Sequence, residues 1–188
     1  FDSETLSQRG FTVARALFSP AECRALAGLW PQTDLYRKHI VMQRHGYGQG
    51  EYRYFRYPLP DPVETLRRTL YPALAAIANR WNEALGVAQR FAPTLDAWLK
   101  RCHDAGQTRP TPLLLRYGPG DYNCLHRDLY GELVFPLQAT VLLSDPQRDF
   151  SGGEFMLVEQ RPRMQSRGDR KSTRLNSSHV SESRMPSS

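Results

Sequence analysis

Apolar residues recur at helical spacing over one long stretch of this chain. Val63, Leu66, Leu70, Leu74, Ile77, Ala78, Trp81 and Leu85 fall along one face of a 3.6-residue period. Asp61-Pro62-Val63-Glu64 supplies a start, with proline in the first turn and acids near the amino end. Pro72 lies within the run and predicts a kink or a division into two helices, because it removes a backbone donor and crowds the preceding turn. Ser19-Pro20-Ala21-Glu22 has the same grammar, and its Ser and Glu are spaced as a capping box. The helix it opens carries Cys23, Leu26, Ala27 and Leu29-Trp30 and is stopped by Pro31. A third helix is predicted from Thr94 to Ala105, with Gly106 just past its end.

The β pattern is weaker and comes in pieces. Phe11-Thr12-Val13 reads as a short opening strand, and residues 39–57 as two strands around a loop with Gly46, Gly48 and Gly50 that has freedom to move. From Pro112 onward, strands are predicted at Leu113–Tyr117, Asn123–Asp128, Phe135–Leu143 and Glu154–Val158, punctuated by Gly118-Pro119-Gly120 and a polar connection from Ser144 to Gly153. Helices followed by short strands predict an α+β fold, a double-stranded β-helix (jelly roll) backed by N-terminal helices.

The last nineteen residues, 170–188, change character: seven are serine and no apolar period is sustained. Such a composition predicts an unstructured tail. The segment also resembles a peptide produced when a sequencing adapter is translated. The expectation is one domain over residues 10–169, incomplete at its C-terminal end, and an artefactual tail over 170–188. The absence of an initiator Met points to an incomplete start in the same way.

Charge and cysteine content narrow the setting. The net charge is +6, and residues 170–188 carry half of it, with four basic residues against one acid. Modest positive charge permits a nucleic-acid partner without requiring one. A denser patch joins Arg37, Lys38, His39, Arg44, His45 and Arg53 to Tyr36, Tyr47, Tyr52, Tyr54 and Phe55. Interleaved cations and rings can grip a strand through phosphate contact and base stacking, and they can equally form a solvated Tyr-rich hairpin. No apolar run reaches membrane-spanning length and no secretory leader pattern opens the chain. Cys23, Cys102 and Cys124 are too few and too scattered for a disulfide framework, which fits a cytoplasmic location. A monomer without a membrane partner is expected.

The chemistry concentrates at His126-Arg127-Asp128. On a regular strand His126 and Asp128 share a face with Tyr122 and Cys124, and an imidazole with a carboxylate can chelate one divalent cation of the kind a 2-His-1-carboxylate site holds. They can also be a hydrogen-bonded polar pair at a strand end. His103-Asp104 sits at a predicted helix end and reads as a surface feature. His179 follows His126 by 53 residues, but no apolar strand surrounds it and it is not taken as a ligand.

Context makes the pair more specific. Tyr117 precedes His126 by nine residues, Arg116-Tyr117-Gly118-Pro119-Gly120 turns between them, and Gly152-Gly153-Glu154-Phe155 opens a strand 26 residues beyond His126. Together with the helix start Phe18-Ser19-Pro20-Ala21-Glu22-Cys23, this combination resembles the Fe(II)/2-oxoglutarate-dependent dioxygenases. Within them it resembles the demethylase and prolyl-hydroxylase-like branch, and in particular a bacterial group described as acting on alkylated or damaged DNA. The resemblance covers most of residues 10–167. It implies that His126 and Asp128 are two of three iron ligands and that Tyr117 hydrogen-bonds 2-oxoglutarate. The asparagine often found two positions before that tyrosine is Leu115 here. A third ligand and a distal Arg or Lys for the far carboxylate have no match.

The implied cofactors are Fe(II), 2-oxoglutarate as co-substrate, and O2. The implied reaction couples oxidative decarboxylation of 2-oxoglutarate to hydroxylation of a C–H bond, and on an N-methylated nucleobase this releases formaldehyde. Alkylated DNA or RNA is the favoured substrate. The alternatives are a protein side chain, a small metabolite, or a non-catalytic cupin-like binding protein. With two ligands in place, the 188-residue chain is expected to bind iron weakly and turn over little.

Overall fold

The computed structural model describes residues 2–128, 131–146, 148–159, 167–169 and 179–182. The chain divides into two units: residues 1–25, 125–128 and 136–188 in one, residues 26–124 and 129–135 in the other.

In the first unit, helix α1 (Ser3–Arg9) precedes the opening strand, an element the apolar spacing did not announce. The Asp2 carboxylate caps it by accepting from Glu4 N and Thr5 N, and Gly10 closes it at φ 74°. Strand β1 (Phe11–Val13) follows. The capping box ahead of α2 (Pro20–Ala27) forms as read: Glu22 N donates to Ser19 Oγ at 3.3 Å, and Ser19 N donates to Glu22 Oε2 at 2.7 Å.

The second unit is built on a hairpin. Strand β2 (Tyr36–Val41) runs into a 3-10 turn at Met42–His45, a short strand β3 (Gly48–Gln49), and β4 (Glu51–Phe55), which returns antiparallel to β2. Gly46, Gly48 and Gly50 are anchored rather than loose: β3 pairs with β6 (Tyr122–Asn123), and Met42 N donates to Gly50 O at 3.0 Å. At Gly48, with φ +121°, a Cβ would lie 2.2 Å from the Tyr122 carbonyl oxygen, so this ladder requires glycine.

Helix α3 (Asp61–Ala84) is undivided, with Pro72 inside it. Pro72 falls on the exposed face, where the carbonyl it leaves without a donor can turn to water, while Tyr71, Leu74, Ala75, Ile77 and Ala78 are buried. Helix α4 (Leu95–Asp104) is capped by Thr94 and followed by Gly106 at φ +81°. Tyr71, Phe91, Trp98 and Phe135 pack ring against ring, with centroids 4.9 to 6.3 Å apart. Asn79 pins this cluster to α3: its side chain donates to Phe91 O and accepts from Phe91 N.

The expected jelly roll is not formed. The architecture is α+β with small separate sheets, ordered β1-β10-β7, β2-β4-β5, β3-β6 and β8-β9, and no sheet among the described residues exceeds three strands. Here β5 is Leu113–Arg116, β7 is Leu137–Thr140, β8 is Leu157–Glu159, β9 is Arg167–Asp169 and β10 is His179–Glu182. A double-stranded β-helix needs two facing sheets of about four strands each. The strand predicted at Asn123–Asp128 reduces to Tyr122–Asn123, and β5 is taken by the hairpin strand β4. Apolar alternation favours an extended chain but does not choose a ladder partner, and Pro136, Gly152 and Gly153 cut the segments short. Of the segment 170–188, residues 179–182 are described, as the strand between β1 and β7.

Candidate functional site

His126 and Asp128 come together without the strand that predicted it. Residues 124–128 belong to no ladder, so the shared-face argument with Tyr122 and Cys124 does not apply. Yet His126 Nε2 lies 3.5 Å from Asp128 Oδ1, with both side chains open to solvent. The other carboxylate oxygen, Oδ2, accepts from Gln138 Nε2 at 3.0 Å. Gln138 stands on β7 and was not singled out in the sequence. Its signal is a lone amide between Leu137 and Ala139, inside the apolar segment Phe135–Leu143.

This donor set suits a divalent cation. Neighbouring ligands about 2.1 Å from one ion stand roughly 3 Å apart, close to the observed 3.5 Å. Gln138 does for Asp128 what outer partners of metal-binding carboxylates do: it occupies one oxygen and orients the other. No group of three His, Cys, Asp or Glu side chains arranged for a metal occurs among the described residues. His179 occupies a register position on β10 opposite Thr140.

Tyr117 belongs to the other unit and follows β5 directly. A tight turn comes next, with Gly118 N donating to Asp121 Oδ2 at 2.7 Å and Asp121 N to Gly118 O at 3.1 Å. The Tyr117 ring edge lies against Gly50, where a Cβ would approach Cδ1 to 2.8 Å. Although 45% of the residue is exposed, this desolvation pushes the phenol above its usual range. A hydrogen bond with the Asn123 side chain works in the opposite direction, and the Asp121 charge adds to the rise. Leu115, at the departure from the dioxygenase pattern, pairs with Tyr52 on β4.

The basic and aromatic hairpin is an organised surface. Trp30 takes the Arg53 and Arg116 guanidinium groups at 4.6 and 4.8 Å from its ring centre, and Arg37 lies 4.3 Å over Tyr54. Glu51 binds Arg116 and His39, each at 2.6 Å. His45 and Tyr47 stack at 5.3 Å on the turn, and 48% of Tyr47 is exposed. His103 meets the Tyr57 ring edge-on, and Asp104 pairs with Lys100. Cys23, Cys102 and Cys124 carry no disulfide, and no helix among the described residues is long and apolar enough to cross a membrane.

Comparison with known proteins adds a family. The Oxygenase-NA family model, described as an oxygenase catalysing oxidative methylation of damaged DNA, matches residues 50–181. Two uncharacterized proteins of Mycobacterium tuberculosis, MT2286 of strain CDC 1551 and Rv2227 of strain H37Rv, are each 57% identical over 114 residues. The match takes in 61% of this chain and 49% of the relative. The chain thus spans about half the length of the curated relatives it matches. No solved structure matches it.

Proposed function

This chain belongs to the Oxygenase-NA family of oxygenases described as acting on damaged DNA, and from that membership we propose an Fe(II)- and 2-oxoglutarate-dependent dioxygenase that hydroxylates a C–H bond of an alkylated nucleobase. One observation carries the assignment to particular residues: an imidazole and a carboxylate stand 3.5 Å apart, with an amide on the far carboxylate oxygen. Iron, with 2-oxoglutarate and O2, would supply the oxidation of an unactivated C–H bond that side chains alone do not perform. His126 Nε2 and Asp128 Oδ1 would hold the ion as neighbouring ligands, and Gln138 fixes which oxygen Asp128 offers. Tyr117, kept neutral well above physiological pH, is a hydrogen-bond donor suited to a carboxylate of the co-substrate.

The test separates ligation from turnover. Mn(II), used in place of iron and followed by electron paramagnetic resonance, is expected to bind the wild-type chain. His126→Ala and Asp128→Ala are each expected to weaken binding by tenfold or more, and Gln138→Ala by about tenfold. Succinate formation from 2-oxoglutarate is then compared across the same proteins. Wild-type Mn(II) affinity retained in both His126→Ala and Asp128→Ala would remove the pair from the reaction.

A further inference from the structure

A second site candidate lies on the hairpin, among residues that the oxygenase chemistry does not use. Thr33, Tyr36, Arg37, Lys38, His39 and Arg53 line a shallow depression of about 200 Å³. Three of these six are cations and none is a carboxylate. The neighbouring acid, Glu51, already divides its two oxygens between His39 and Arg116.

The partners of these cations are neutral. Arg37 gives Nε and Nη2 to the Pro110 carbonyl at 3.1 and 3.0 Å and lies on the Tyr54 ring. Arg53 gives Nη1 to the Trp30 carbonyl at 2.6 Å and lies between the Trp30 and Tyr36 rings. Its Nε is buried with no hydrogen-bond partner. The Lys38 ammonium is on the exposed side of β2. Among the described residues no acid forms an ion pair with Arg37, Lys38 or Arg53. Burial holds Arg37 below the usual arginine range, partly offset by Tyr54 and reinforced least by the like charge of Arg109. Holding such cations side by side is costly unless an anion arrives.

Resting on the damaged-DNA reading above, we propose that this depression seats a backbone phosphate of a single DNA strand whose bases run toward the His45–Tyr47 stack on the same hairpin. A phosphate offers several acceptor oxygens to a fork of guanidinium donors, which suits two arginines already fixed by carbonyls and rings. Tyr47 presents a half-exposed ring already stacked on His45, and an unpaired base can extend that stack. Paired bases inside a duplex have no open face to offer. The single strand is therefore the partner that uses both ends of the hairpin.

Fluorescence anisotropy of a labelled single-stranded oligodeoxynucleotide, measured in EDTA over a series of salt concentrations, tests the site without metal or turnover. Lys38→Gln is expected to weaken binding about three- to tenfold and to lower the slope of log affinity against log salt by about 0.7, the loss of one phosphate contact to a single strand. Lys100→Gln makes the same charge change at an exposed lysine of α4 and is expected to have little effect. Tyr47→Ala is expected to lose at least about fivefold, the worth of one stacked base. Wild-type affinity and slope in Lys38→Gln, or an equal loss in Lys100→Gln, overturn the phosphate seat. Equal affinity for a duplex of the same sequence, or no effect of Tyr47→Ala, overturns the single-strand assignment. Because the measurement is made without metal, loss of the oxygenase reading through His126→Ala and Asp128→Ala leaves this result standing, and the reverse also holds.

Discussion

Glu51 is the residue at which electrostatics and the hairpin meet. Its hydrogen bond from Arg116, opposed by desolvation and aided by His39, holds the carboxyl below the usual carboxylate range. A carboxyl depressed in the folded state contributes stability above its unfolded value of about 4.3, and that contribution is lost as pH falls through the folded value. Urea unfolding of wild type and Glu51→Gln is therefore expected to differ by a constant amount above about pH 5 and to converge as pH falls below about pH 4. A difference that stays constant through that fall would show the carboxylate charge to be irrelevant to the fold. Legibility at this scale was uneven. His126 and Asp128 could be chosen from their chemistry and two-residue spacing, and they do approach one another. Gln138 could not, because its tie to Asp128 spans ten residues and depends on where β7 places it. Residues 124–128 belong to no ladder, so the two side chains approach without the strand periodicity from which their shared face was argued.

At the level of elements, helices α2, α3 and α4 were readable, while α1 and the sheet pairings were not, and for the sheets the reason is physical. A helix satisfies its own backbone within four residues, so Ser19 with Glu22, Thr94 and Gly106 mark its ends locally. A strand takes its partner from elsewhere in the chain, and the pairing of β3 with β6 joins residues more than 70 positions apart. Only the glycines hinted at that pairing, and the hint was easily taken for looseness. Gly48→Ala is expected to lower stability by about 1–3 kcal/mol through backbone strain and to disturb β6 as well, because its Cβ cannot pass the Tyr122 carbonyl. Gly86→Ala is the control, at φ +67° with open space around it, and strain alone is expected to cost about 1–2 kcal/mol there. Amide exchange at Tyr122 and Asn123 should quicken in the first variant and not the second. Equal behaviour of the two would deny the close approach.

On the scale of the whole molecule, the Ser-rich C-terminal segment has two descriptions that an experiment can set against one another. Its composition and lack of apolar period argue for a chain that cannot offset its ordering entropy by burial. Its residues 179–182 nevertheless pair on both sides, with Val13 opposite His179 on β1 and Thr140 opposite His179 on β7. Strands β1 and β7 share no other described partner, so β10 is what makes them a sheet. Removing residues 170–188 is then expected to release the amides of Phe11–Val13 and Leu137–Thr140 to rapid exchange. Leu113–Arg116, which pairs with β4 in the other unit, should keep its protection. The consequence reaches Gln138, which sits in the affected strand and orients Asp128, so Mn(II) binding should weaken in the shortened chain. Unchanged protection at β1 and β7 would instead mean that the tail contributes nothing to the sheet, and that the carboxylate is positioned without it.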